Sequence, residues 1–239
     1  SRLNKIIDMS LFSQDYFSKL FEKDKKLSFI YYKIYINAVS NILKKVGINI
    51  NTVPVLDVRR KKAHNIIGNR SYSSDPSKVA KLGNLCIKLF MKNKIATVMK
   101  HMPGHGLSSL DSHSKTAVIK EKRNNLIKND FKPFKECNSF FAMTAHLIYS
   151  SYDNELTATH SKIVINQIIR KHINYKGILI SDDISMKALK YGLEKNAIMA
   201  LKAGCNLVLH CNGNIKEMVK LAKVVPEIDK FTKKKTSHF

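Results

Sequence analysis

A chain of 239 residues can bury a substantial core, and with 44% apolar residues against only 9 glycines and 5 prolines it is expected to fold throughout. No apolar run approaches the ~20 residues that cross a bilayer, and SRLNKIIDMSLF has no apolar segment followed by a small-residue cleavage site, which predicts a cytoplasmic protein with no membrane partner. The net charge of +24 would suit nucleic acid, but the lysines are spread along a Lys-, Ile- and Asn-rich chain without an RNA-binding or zinc-finger signature, so no nucleic-acid partner is expected. Ser1 is not an initiator methionine, so the chain is expected to be processed or part of something longer. Cys86, Cys137, Cys205 and Cys211 show no CxxC spacing and read as buried, reduced thiols.

In chain order, Leu27–Lys45 reads as a helix and Ile48–Val58 as a strand carrying Asp57 near its end. Asp75-Pro76 supplies an N-cap and a first-position proline for a helix over Pro76–Lys92. A strand over Ile95–His101 ends in Lys100-His101 and opens a polar loop reaching about Thr116. Phe141–Ile148 is a strand containing His146, followed by a helix over His160–Lys171. The strand Gly177–Asp182 runs into a second acid, Asp183, which reads as the N-cap of a short helix over Ser185–Leu189. A helix over Glu194–Ala203 is closed by Gly204, and the strand Cys205–Cys211, with His210 and Asn212 at its end, precedes a helix over Ile215–Val224.

Strands that are apolar along their whole length are buried on both faces, as in parallel sheets covered by helices. Nearly every strand here ends in a chemically active residue. A (β/α)8 TIM barrel gathers all such ends at one site, whereas an open sheet gathers only those at its switch point, so the barrel is favoured. Five strands fall short of eight, so the first strands of the barrel are expected upstream of Ser1, with residues 1–239 forming a single catalytic domain.

Three constellations carry chemistry. Lys100 to Gly106, KHMPGHG, leads into Asp111-Ser112-His113, where a carboxylate two residues from a histidine can orient the ring and favour its charged form. His113 is therefore a candidate proton donor with Asp111 as its partner. The histidines also admit a zinc reading or a role as ordinary loop residues; Pro103-Gly104 excludes a helical HExxH, and no metal site is expected. In GILISDD, Asp182 stands at a strand end, where a carboxylate can act as a nucleophile in glycoside hydrolysis. In IGNRSYSSDP, Arg70 suits hydroxyl or anion binding.

Taken together, PVLDV (54–58), IGNRSYSSDP (67–76), KHMPGHG (100–106), DSH (111–113), AHLIYS (145–150), GILISDDISM (177–186) and AGCNLVLHCN (203–212) resemble glycoside hydrolase family 3 and its bacterial β-N-acetylglucosaminidases of cell-wall recycling. The resemblance implies a retaining double displacement with Asp182 as nucleophile, His113 as acid/base and Asp111 paired with it. It implies that Arg70, Lys100 and His101 hold the N-acetylglucosamine ring, with His146 and Asn212 at the rim. The implied substrate is a muropeptide, GlcNAc linked β-1,4 to anhydro-N-acetylmuramic acid, handled by a monomer without a cofactor. The family's DQEGGRV segment is absent; Ser1-Arg2-Leu3 looks like its continuation, so Arg2 would match a substrate-contacting arginine. Phosphorolysis on the same scaffold, and an inactive basic fragment that binds nucleic acid, are the alternatives.

Overall fold

The structure, a computed structural model, describes residues 10–60, 67–108 and 116–237. Five parallel strands form a curled sheet in the order β1 (Ile50–Asn51), β2 (Ala96–Met102), β4 (Phe141–Thr144), β6 (Ile178–Asp183) and β7 (Leu207–Leu209). Two further strands, β3 (Ala117–Ile119) and β5 (Leu147–Tyr149), pair in parallel beside it. In register, Val98 lies opposite Phe141, Phe141 opposite Ile178, and Ile180 opposite Leu207. One face of the sheet buries Ala96, Val98, Phe141, Met143 and Ile178. The other contributes Met99, Ala142 and Leu179 to the core shared with the helices. Burial on both faces accounts for the unbroken apolar runs.

The main helices are α1 (Gln14–Lys23), α2 (Lys25–Lys45) and α3 (Pro76–Lys92). The single turn α4 (Arg123–Asn125) and the short α5 (Lys132–Glu136) follow, then α6 (Leu193–Ala203), α7 (Ile215–Val224) and α8 (Lys230–Thr236). Ser13 and Asp24 cap α1 and α2 by accepting from the backbone N–H groups of Tyr16 and Leu27. Asp75 caps α3 through the Ser77 N–H at 2.8 Å, and Pro76 fills its first position. On α2 the buried positions Tyr32, Ile36, Val39 and Leu43 recur every three or four residues. Ile36 and Leu43 each contribute about 1.5–3 kcal/mol by leaving water. The Tyr32 hydroxyl meets that of Tyr72 at 2.5 Å, and both lie against the Cys86 thiol of α3, which burial pushes up to about 11. This buried cluster ties α2, α3 and the segment after Arg70 together.

Several sequence expectations are corrected. The strand over Ile48–Val58 pairs regularly only at Ile50–Asn51, with one bridge from Val55 to Lys100. Pro54 has no N–H to donate, and the Gln14 side-chain amide takes both the Val55 N–H and C=O, at 2.9 and 2.8 Å. The strand over Phe141–Ile148 divides at Ala145-His146, because its second part pairs with β3. The helix over His160–Lys171 is a wide π-helix over Val164–His172, and at its end the Ile173 N–H likewise reaches five residues back to the Ile168 C=O at 2.8 Å. No helix forms over Ser185–Leu189: Asp183 accepts from the Ser185 N–H and hydroxyl and closes a tight turn. Cys86, Cys137 and Cys205 are buried, but Cys211 is exposed because β7 stops at Leu209.

The loop after β2 is fixed by two glycines. Gly104, at φ +145°, packs against the backbone of Asp130, and its carbonyl accepts from the Tyr149 hydroxyl. Gly106 touches Val58; a Cβ there would lie 1.8 Å from the Val58 carbonyl oxygen. Gly106→Ala is expected to cost about 3 kcal/mol or more, whereas Gly213→Ala, at φ +74° with open space around it, should cost about 1 kcal/mol. Paired denaturant titrations check this; equal losses would contradict the close packing.

Candidate active site

The site forms at the C-terminal edge of the sheet. Asp57, wholly buried, accepts three hydrogen bonds: from the His101 N–H at 3.1 Å, from the His101 ring at Nδ1 at 2.7 Å and from the His105 N–H at 2.7 Å. Burial pushes the Asp57 carboxyl up, but His101 and His105 outweigh it and hold the group below the usual carboxylate range. The His105 ring stands edge-on to His101, with centroids 5.3 Å apart. Burial first, and then His101, lower its pKa to about 4, so it is neutral at pH 7.

Asp182, at the end of β6, is also held below the ordinary range. Burial raises it, but His101, His146, the Asp183 N–H and Lys100 together lower it; that N–H donates to Asp182 Oδ1 at 2.8 Å. Lys100 is lowered by burial and by Arg70, against the opposing pull of Asp182 and Asp57. Lys100, His101, His146, Arg70 and Asp182 therefore share one electrostatic neighbourhood. Asp182 and its neighbour Asp183 diverge: Asp183 turns to Ser185 and accepts from the Cys211 N–H at 3.4 Å.

Arg70 is positioned by its successors. The buried Ser71 donates to the Asp57 carbonyl at 2.7 Å, and Tyr72 is locked in the core. His146 is buried with both ring nitrogens engaged, Nδ1 with the Thr159 hydroxyl at 2.7 Å and Nε2 with the Asp183 carbonyl at 3.0 Å. Burial keeps this ring neutral, so Nε2–H donates and Nδ1 accepts. Asn212 is exposed, donates to Glu217 at 2.6 Å and accepts from the Asn214 N–H, so its amide belongs to the turn that opens α7. Arg2, Asp111 and His113 lie outside the described residues. The site residues to which sequence reasoning gave no role are Asp57, His105 and Thr159. Asp57 had a signal, an acid inside the apolar PVLDV; Thr159 had none.

Carboxylate, cation and imidazoles thus gather at the C-terminal ends of parallel strands, the edge at which β/α-barrel proteins carry their sites. The chain belongs to glycosyl hydrolase family 3: the model of the Glycosyl hydrolase family 3 N terminal domain matches residues 24–236. It is 35% identical over 208 residues to a beta-hexosaminidase of Photobacterium profundum, which covers 82% of this chain and 60% of that protein. It is 34% identical to the Idiomarina loihiensis beta-hexosaminidase, over 71% of this chain and 52% of that protein. The structure of NagZ from Neisseria gonorrhoeae in complex with N-trifluoroacetyl-D-glucosamine matches 95% of this chain and 66% of its own, with a TM-score of 0.84 and 26% identity. The chain thus spans roughly half to three fifths of the length of these beta-hexosaminidases.

His105 and His160 set a pH dependence. Burial lowers both to about 4, from the 6.5 at which an imidazole titrates in the unfolded chain. Between those pH values unfolding takes up protons, so stability is full above about 6.5 and falls as pH drops toward 4. His160→Gln, which keeps a donor for the Asn196 carbonyl, should flatten this slope in urea midpoints measured from pH 7 to 4. An unchanged slope would contradict a buried neutral His160.

Proposed function

We propose that this chain carries the catalytic centre of a retaining exo-β-N-acetylglucosaminidase, with Asp182 as nucleophile. One observation carries the reading: Asp182, half-buried at a strand end, is held below the ordinary carboxylate range, with His101 and Lys100 among the groups that lower it. A retaining glycosidase needs that ionised oxygen to attack the anomeric carbon and form a glycosyl-enzyme intermediate. His113, with Asp111 beside it, is the acid that protonates the leaving oxygen and then the base that takes a proton from water. Arg70, Lys100 and His101, with Arg2, hold the sugar hydroxyls; Asn212 stands at the rim and His146 braces the Asp182-Asp183 turn.

The relatives named beta-hexosaminidase support the GlcNAc assignment, and the similar NagZ structure, a complex with N-trifluoroacetyl-D-glucosamine, supports a glucosamine-type sugar as the ligand. The substrate we assign is GlcNAc-β-1,4-anhydromuramyl muropeptide, cut in the cytoplasm during peptidoglycan recycling by a monomer. The sheet, which among the described residues ends at β1 and β7, is read as the larger part of a (β/α)8 barrel within one catalytic domain.

The test is chromophore release from an aryl β-N-acetylglucosaminide by the intact protein, run with and without phosphate. Asp182→Asn should reduce kcat by roughly 10⁴-fold and His113→Ala by about 10²–10⁴-fold, both at unchanged folding. Turnover by Asp182→Asn at the parental level would remove the nucleophile assignment. Sugar-1-phosphate as product would replace hydrolysis with phosphorolysis.

A further inference from the structure

Among the described residues, the most heavily hydrogen-bonded buried carboxylate beside the site is one to which the proposed reaction gives no role. We infer that Asp57 is the positioning residue of this site, fixing the side-chain tautomer of His101 and the path of the loop behind it. The inference rests on the site reading given under Proposed function.

Asp57 has no access to solvent, so its oxygens act only on the protein. Oδ1 collects the His101 and His105 N–H groups, and Oδ2 faces His101 Nδ1 at 2.7 Å. A carboxylate cannot donate, so the ring must carry a proton on Nδ1. Nε2 is then the ring atom left for other partners. The same imidazole is the neighbour that does most to lower Asp182. Asp57 is itself held from behind: its carbonyl accepts from the Ser71 hydroxyl, and the adjoining Val58 is in contact with Gly106. The carboxylate therefore has one orientation, and so does the ring it holds. Groups of this kind control reactivity through the residue they orient, and replacing a carboxylate by an amide reverses the tautomer of its histidine.

Asp57→Asn tests this with nearly unchanged volume. The amide oxygen can still accept from the two backbone N–H groups, but its NH2 group turns to His101 Nδ1 and donates. In the ¹⁵N-histidine-labelled protein, with His101 identified by its loss in His101→Gln, the parent should show a protonated Nδ1 and Asp57→Asn a bare one. kcat/KM for the aryl β-N-acetylglucosaminide should fall on the order of a hundredfold. Asp57→Ser, which keeps an acceptor for the amides, replaces Asn should that variant not fold. A bare Nδ1 in the parent, or a Nδ1 proton retained in the folded variant, would overturn the inference. A parent protein without turnover would overturn the glycosidase reading instead, while the nitrogen spectrum would still decide the role of Asp57.

Discussion

Everything at the C-terminal edge of the sheet depends on one buried negative charge. Asp57 accepts three N–H groups where its side chain is closed off from solvent, and each bond fixes something else. The His101 amide and ring orient the end of β2, and the His105 amide orients the loop that follows. Burying a carboxylate is costly unless its lone pairs are filled, so the arrangement is close to all-or-none. With all three donors in place the loop has one conformation; without one of them the charge would be left incompletely solvated by the protein.

The glycines and the anchoring side chains serve that same constraint from outside. Gly104 and Gly106 let the loop approach the backbone of Asp130 and Val58 more closely than any other residue could. Ser71 and Tyr72 hold the Arg70 segment on the opposite side, one through the Asp57 carbonyl and the other through the hydroxyl pair with Tyr32. Gln14 closes the remaining gap by completing the backbone hydrogen bonds of Val55. The cations and imidazoles around Asp182 thus stand on a frame whose parts come from α1, α2, α3 and β2.

Much of this was legible in the sequence, and for identifiable reasons. Long apolar runs buried on both faces, such as GILISDD and IATVMKH, announce parallel strands directly. Helices with strong caps, as at Asp75-Pro76 and Ala203-Gly204, were located to within a residue or two. Short elements were not: β3 has three residues, and β5 is distinguished from β4 only by a partner across space. The PVLDV stretch reads as a strand because its pattern is one, but Pro54 and the Gln14 amide replace ladder partners with other bonds. Among the site residues, those at strand ends stood out, whereas the support for His146 comes from Thr159, whose role depends on the fold alone. The non-proline cis peptide at Lys100-His101 has no signature in the residue types.

The distribution of the four thiols has a practical side. Cys86, Cys137 and Cys205 lie inside the core, where burial pushes them up to about 11, 12 and 12, so they are neither accessible nor ionised at neutral pH. Cys211 is exposed, and its amide is bonded to Asp183, next in the chain to Asp182. A maleimide-linked dye would therefore attach at one position and sit at the mouth of the site. Its emission would report a sugar arriving there without any bond being cut, making occupancy visible separately from turnover.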